Sequence, residues 1–111
     1  VNAIINYINN NYYKDIYLEG IANEFNITSN YLSHFFKDHI GISFSEYLGR
    51  IRIEKTKKLL ETTDKPVNEI CTEVGYISVN SFIRTFRKFE GITPGKYRDI
   101  VQNKELNNEN K

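Results

Sequence analysis

One helical motif occurs twice in this chain, and the second copy can be laid on the first almost residue for residue. Ile21 meets Ile70, Ala22 meets Cys71, Asn26 meets Gly75 and Ser29 meets Ser78, all at an offset of 49. One extra residue then enters the second copy. After it Leu32 meets Phe82, Phe36 meets Phe86, Lys37 meets Arg87, and Gly41-Ile42-Ser43 meets Gly91-Ile92-Thr93, up to Tyr47 and Tyr97 at an offset of 50. An internal repeat constrains architecture more than any single propensity. The repeated unit reads as helix, tight turn, helix, a shape that can lay one helix in a DNA groove. Two such units on one short chain predict a monomer that reads two stretches of one site.

Each copy is near the lower size limit for folding alone, roughly 45 residues, so each is expected to lean on shared elements. An aromatic content of 14% helps, because Phe and Tyr bury large areas. No apolar run approaches the roughly 20 residues of a membrane span, and no signal peptide is visible. No membrane partner is therefore expected. Cys71 is the only cysteine, which excludes an internal disulfide framework and fits a reducing, cytoplasmic setting. Residue 1 is Val and the chain has no Met, so it reads as a fragment of a longer protein.

Apolar spacing predicts an all-α chain. Ile4, Ile5, Ile8 and Tyr12 give a first helix, and Leu18, Ile21, Ala22 and Phe25 a short second. Asn26 tolerates the left-handed backbone that a tight turn needs. Thr28 or Ser29 can cap a third helix with Leu32, Phe35, Phe36 and Ile40 inward, stopping at Gly41. Ser43 caps the longest helix, expected to run to about Glu61. Its apolar residues change side partway: Phe44, Tyr47, Leu48 and Ile51 first, then Ile53, Thr56, Leu59 and Leu60 about 140° further round. Such a helix packs against two bodies, so it links them. Pro66 suits the start of a fifth helix with Val67, Ile70, Cys71 and Val74 inward. Ser78 opens a sixth with Phe82, Phe86 and Phe89 inward, and Pro94 a last one through about Val101. The expected division is a first subdomain at 1–42, a linking helix at 43–61, a second subdomain at 62–101 and a flexible tail at 102–111.

On a helical wheel, Asn30, Ser33, His34 and Lys37 fall opposite Leu32, and Asn80, Ile83, Arg84 and Arg87 fall at the same angles opposite Phe82. Both outward faces are short, polar or cationic, suited to base edges in a major groove. The guanidinium fork of Arg84 matches guanine, Asn30 or Asn80 can pair with adenine, and the apolar Ile83 either meets a thymine methyl or is partly buried against the linking helix. Lys37, Arg87, Lys88, Lys96 and Arg98 suit phosphates, with the hydroxyls of Ser29 and Ser78 at the helix starts. Net charge is only +1, but five basic residues stand against Glu90 between Arg84 and Arg98, and five against Glu54 between Arg50 and Lys58. About 18 helical residues at about 1.5 Å each span close to 27 Å. With the turns added, the two reading helices fit the ~34 Å repeat of duplex DNA. The expected site is asymmetric and about two turns long.

These residues closely resemble the DNA-binding domain of AraC/XylS-family transcription regulators, from about Ile4 to Arg98. The resemblance is carried by Leu18-x2-Ile21-Ala22, Ser29-x-Tyr31-Leu32-Ser33-His34-x-Phe36-Lys37, Gly41-x-Ser43-x3-Tyr47-Leu48 and Arg52-x6-Leu59-Leu60. It continues in Glu69-Ile70-x4-Gly75-Tyr76 and Ser81-Phe82-x3-Phe86-Arg87-x3-Gly91-x-Thr93-Pro94-x2-Tyr97-Arg98, the most specific stretch. The resemblance implies seven helices in two homeodomain-like helix-turn-helix subdomains joined by a linking helix. It also implies promoter binding, activation through RNA polymerase, and base contacts at Asn30, Ser33, His34, Val79, Asn80, Ile83 and Arg84. Three features depart from the pattern: Thr56 and Cys71 each stand where Ala is usual, and the pair Ser33-His34 stands where longer polar or Arg side chains are common. Tyr7 to Ile27 with Thr63-Asp64-Lys65-Pro66 looks like members serving as response-regulator output domains; other members carry a sugar-binding cupin-like domain. A missing N-terminal effector or receiver domain is expected accordingly.

Two other functional classes make different demands on these residues. His34, His39 and Cys71 show no metal-ligand or nucleophile spacing, so no catalysis, metal or cofactor is expected. A helical module whose basic faces bind an acidic protein partner would tolerate joint replacement of Asn80 and Arg84, whereas a DNA reader would lose sequence preference.

Overall fold

The computed structural model describes residues 2–109, with side chains from 3 to 103. Among the described residues there are seven α-helices and no strand, as the repeat predicts. They are α1 (Asn2–Asn11), α2 (Leu18–Glu24), α3 (Ser29–Phe35), α4 (Phe44–Thr62), α5 (Val67–Glu73), α6 (Val79–Glu90) and α7 (Pro94–Glu109). A π-helical turn, Phe36–Ile40, extends α3 and ends at Gly41, whose left-handed φ of 89° lets its amide reach the Phe36 carbonyl at 2.8 Å. None of the described helices is long and apolar enough to cross a membrane.

Two compact units make up the chain, Val1–Ile51 and Arg52–Lys111. Helix α4 gives residues 44–51 to the first and 52–62 to the second. Its burial follows that division: Phe44 and Leu48 join the first core, while Ile53, Thr56 and Leu60 are buried in the second unit.

The first core gathers Ile4 and Ile8 from α1, Ile21 and Ala22 from α2, and Leu32, Phe35 and Phe36 from α3 and its extension. Phe36 is fully buried, with the rings of Phe44 and Tyr47 each 5.6 Å away. In the second unit Phe86 is its counterpart, buried between Phe82 at 6.5 Å and Tyr97 at 5.7 Å. Ile70 and Cys71 of α5 and Val74 just after it close that core. Thr56 is buried too, and its hydroxyl donates to the Arg52 carbonyl one turn back at 2.8 Å. That bond satisfies the only polar atom which the larger side chain brings inside.

Helix α7 runs further than its apolar spacing predicts. The pattern gives out near Val101, but the helix continues to Glu109. Gln102 contributes by donating from Nε2 to the Leu60 carbonyl at 3.4 Å, and nothing from Gln102 to Glu109 is Gly or Pro. Of the expected flexible tail, residues 110 and 111 lie outside the described residues.

Candidate nucleic-acid interface

In each copy the second helix, α3 or α6, is placed by the helix before it. The last residue of α2 is followed by Phe25 and then Asn26, whose φ is 57°. That left-handed residue lets its own amide donate to Asn23 (3.2 Å) and the next amide, Ile27, to Ala22 (2.9 Å). The second copy repeats both bonds around Gly75: its amide to Thr72 at 3.1 Å and the Tyr76 amide to Cys71 at 2.9 Å. This paired closure satisfies carbonyls at the helix end and turns the chain sharply. The φ of Gly75 is 103°, well outside the range comfortable for a side chain. Gly75→Ala should therefore cost roughly 1–2 kcal/mol of stability, read by chemical unfolding. Asn26→Ala, at an ordinary left-handed angle, should cost less.

A hydroxyl then starts each reading helix. Thr28 Oγ1 accepts the Tyr31 amide at 3.1 Å, and Ser78 Oγ accepts the Ser81 amide at 3.2 Å. The structural equivalent of Ser78 is therefore Thr28, not Ser29. Two adjacent hydroxyl residues in the first copy hid this in the sequence, and only the capping bond distinguishes them. The extra residue of the second copy consequently lies before the cap, between Tyr76 and Ser78. It is Ile77.

From the caps onward the copies share one register. Gly91 ends α6 with φ 81°, as Gly41 ends the π turn after α3. Ser43 and Thr93 cap the following helices, accepting the amides of Glu46 (3.2 Å) and Lys96 (3.3 Å). With Leu32 and Phe82 held in their cores, the opposite faces are fixed: Asn30, His34 and Lys37 are exposed on the first copy, Asn80, Arg84 and Arg87 on the second. Ser33 and Ile83 are half-buried at the flank of those faces, and Ser29 is half-buried in the first turn of α3. Val79 is exposed at the start of α6, beside the exposed cap Ser78. Lys88 is exposed with its ammonium 5.7 Å from the Phe89 ring centre, and Lys96 is exposed on α7.

Arg98 does not belong with these cations. Its guanidinium is turned inward against the end of α4, donating from one Nη to the Lys65 carbonyl (2.6 Å), from the other to Thr63 (3.1 Å) and from Nε to Leu60 (3.4 Å). Those carbonyls lie where a helix end leaves acceptors without partners, and a planar fork reaches them where a surface phosphate contact was expected. Arg98→Lys should lower stability by about 2 kcal/mol, nearly as much as Arg98→Ala, because one ammonium cannot span three carbonyls. Urea unfolding of both variants distinguishes this from a phosphate contact, for which lysine would serve.

Other charges of the second unit are also committed to structure. Lys57 lies 3.2 Å from a Glu90 oxygen and 3.5 Å from Glu54. Burial opposes its charge, but the two carboxylates outweigh that and hold its pKa above the ordinary lysine value. The Tyr97 hydroxyl donates to Glu61, and burial together with that carboxylate pushes the phenol's pKa far up, keeping the donor in place. Cys71 is buried, its thiol held protonated by desolvation and directed at the Tyr76 carbonyl (3.6 Å). Near these faces, Tyr31 in the first turn of α3 and Ile77 just before the α6 cap are also exposed. The unmatched residue in the repeat was the signal that could have found Ile77.

Residues 21–100 match the family model for a helix-turn-helix domain. Over 95 residues the chain is 42% identical to the HTH-type transcriptional regulator YtdP of Bacillus subtilis, covering 86% of this chain and 12% of YtdP. The C-terminal domain of the two-component response regulator YesN from Fusobacterium nucleatum superposes with a TM-score of 0.84 at 40% identity, over 87% of this chain and 95% of that one. A Chromobacterium violaceum transcriptional regulator, described as having an AraC-type DNA-binding domain, superposes with a TM-score of 0.80 at 25% identity, over 86% of each chain. The chain spans only 12% and 34% of the length of the first two curated relatives it matches. A match that takes in both capped turns and the helices after them shows the family, and this chain belongs to the AraC/XylS type of helix-turn-helix DNA-binding transcription regulators.

Proposed function

We propose that the chain reads an asymmetric, double-stranded promoter site, with α3 and α6 entering successive major grooves. The observation that carries this is the exact repetition of a capped helix with an exposed polar face, Asn30–His34–Lys37 and Asn80–Arg84–Arg87, in one register. Asn30, Ser33, His34, Val79, Asn80, Ile83 and Arg84 read base edges. Lys37, Arg87, Lys88 and Lys96 meet phosphates, with Ser29 and Ser78 beside them, and fix position rather than sequence choice. Arg98 serves as a clamp on α4.

Within a longer protein the chain acts as an output domain that recruits RNA polymerase and activates transcription in the cytoplasm. Its likeness to the C-terminal domain of a response regulator favours a receiver domain as the controlling partner.

The test is fluorescence anisotropy with a random-sequence duplex across a range of salt concentrations. Binding should weaken steeply with salt, and Lys37→Ala and Arg87→Ala should each flatten the log–log slope by about one. Salt-independent binding, or none at low salt, contradicts the proposal and favours an acidic protein partner.

A further inference from the structure

The two copies differ in the apolar character of one helix flank. Beside the polar face of α3 stand Ser29 and Ser33; the matching positions of α6 are Val79 and Ile83. Val79 and Ile83 are four residues apart and share one side of the helix, adjacent to Asn80 and Arg84. Just ahead of the α6 cap is Ile77, which has no counterpart in the first copy and is 95% exposed. Val79 is 38% exposed and Ile83 half-buried.

The second core is closed without Ile77: Ile70, Val74, Phe82 and Phe86 are fully buried, and Tyr76 packs on Phe82 at 5.4 Å. An aliphatic side chain cannot bond a phosphate oxygen or a polar base edge. In a major groove the one apolar base-edge group is the C5-methyl of thymine. A β-branched side chain suits that contact, because little rotamer freedom remains to be lost on binding.

We propose that Ile77, Val79 and Ile83 form an aliphatic edge by which the second unit reads thymine methyl groups. The block read by α6 is then methyl-dependent, and the block read by α3, flanked by serines, is not. The proposal rests on the duplex-binding reading above and adds the chemistry of one half-site.

The test starts from a duplex that this chain retains from a randomised pool. The duplex is resynthesised with deoxyuridine for thymidine in one block at a time, which deletes the methyl and keeps every hydrogen-bonding atom. The block read by α6 is the one whose base preference Arg84→Ala relaxes. Uracil there should weaken binding about fourfold for each methyl covered, and under twofold in the other block. Ile77→Ser combined with Val79→Ser should abolish most of the uracil effect; Ile77 has almost no packing to lose, so the variant folds. Equal losses in both blocks, no loss in either, or an undiminished uracil effect in the double variant overturns the proposal while sequence-specific binding stands. Retention without any motif overturns the duplex-reading proposal and this one with it.

Discussion

Phe86→Ala is expected to unfold the second unit or leave it barely folded. The side chain is fully buried, its ring touches Phe82 and Tyr97, and it joins α6 to α7. Removing a buried phenyl group costs about 3–5 kcal/mol, part lost transfer energy and part residual cavity. A unit of roughly 60 residues has little more than that in hand. Urea unfolding followed by circular dichroism should show helicity lost at much lower urea, or absent from the start. Phe36→Ala should do the same to the first unit, where the ring holds Phe44 and Tyr47. A loss under 1 kcal/mol in either variant would mean that these rings do not organise their cores.

Joint replacement of Asn80 and Arg84 by alanine should abolish sequence preference in one half of the site while leaving the fold intact. Both side chains are exposed on α6. A well-placed bidentate contact discriminates its base by about 1–3 kcal/mol, so the pair accounts for roughly 30- to 10,000-fold of specificity. Residual binding should persist through the phosphate-facing cations. Arg87→Ala, one turn on from Ile83, should instead weaken all duplexes alike. Competition between a selected and a scrambled duplex separates the two outcomes. Unchanged preference in the double variant would remove α6 from the reading role.

Much of the fold was legible because the repeat is written in local chemistry. Left-handed Asn26 and Gly75, the capping hydroxyls and the terminal Gly41 and Gly91 all act within a few residues of where they stand. The outward faces followed from helical geometry once Leu32 and Phe82 were set inward. The pairing of Ser29 with Ser78 failed because Thr28 and Ser29 are both competent caps, and a bond of 3.1 Å decides between them. Arg98 was misplaced for a different reason. Its partners are backbone carbonyls at Leu60, Thr63 and Lys65, over thirty residues away, and backbone acceptors leave no trace in residue types. The reach of α7 was hidden likewise, since past Val101 it has no apolar period to follow.

Two sequence departures proved compatible with the packing. Thr56 bonds its own helix, and Cys71 fits the buried end of α5 with its sulfur at the Tyr76 carbonyl. The third, Ser33-His34, puts a half-buried and an exposed side chain on α3, both shorter than arginine. The second unit carries the longer Arg84 and the aliphatic edge, so it is expected to contribute the greater share of sequence information.

The decisive measurement is selection from a randomised duplex pool, with sequencing of the retained fraction. A bipartite reader should retain an asymmetric motif of two unlike blocks about one helical turn apart, with the block assigned to α6 the better defined. A single block, a symmetric palindrome, or retention of all sequences alike would contradict it.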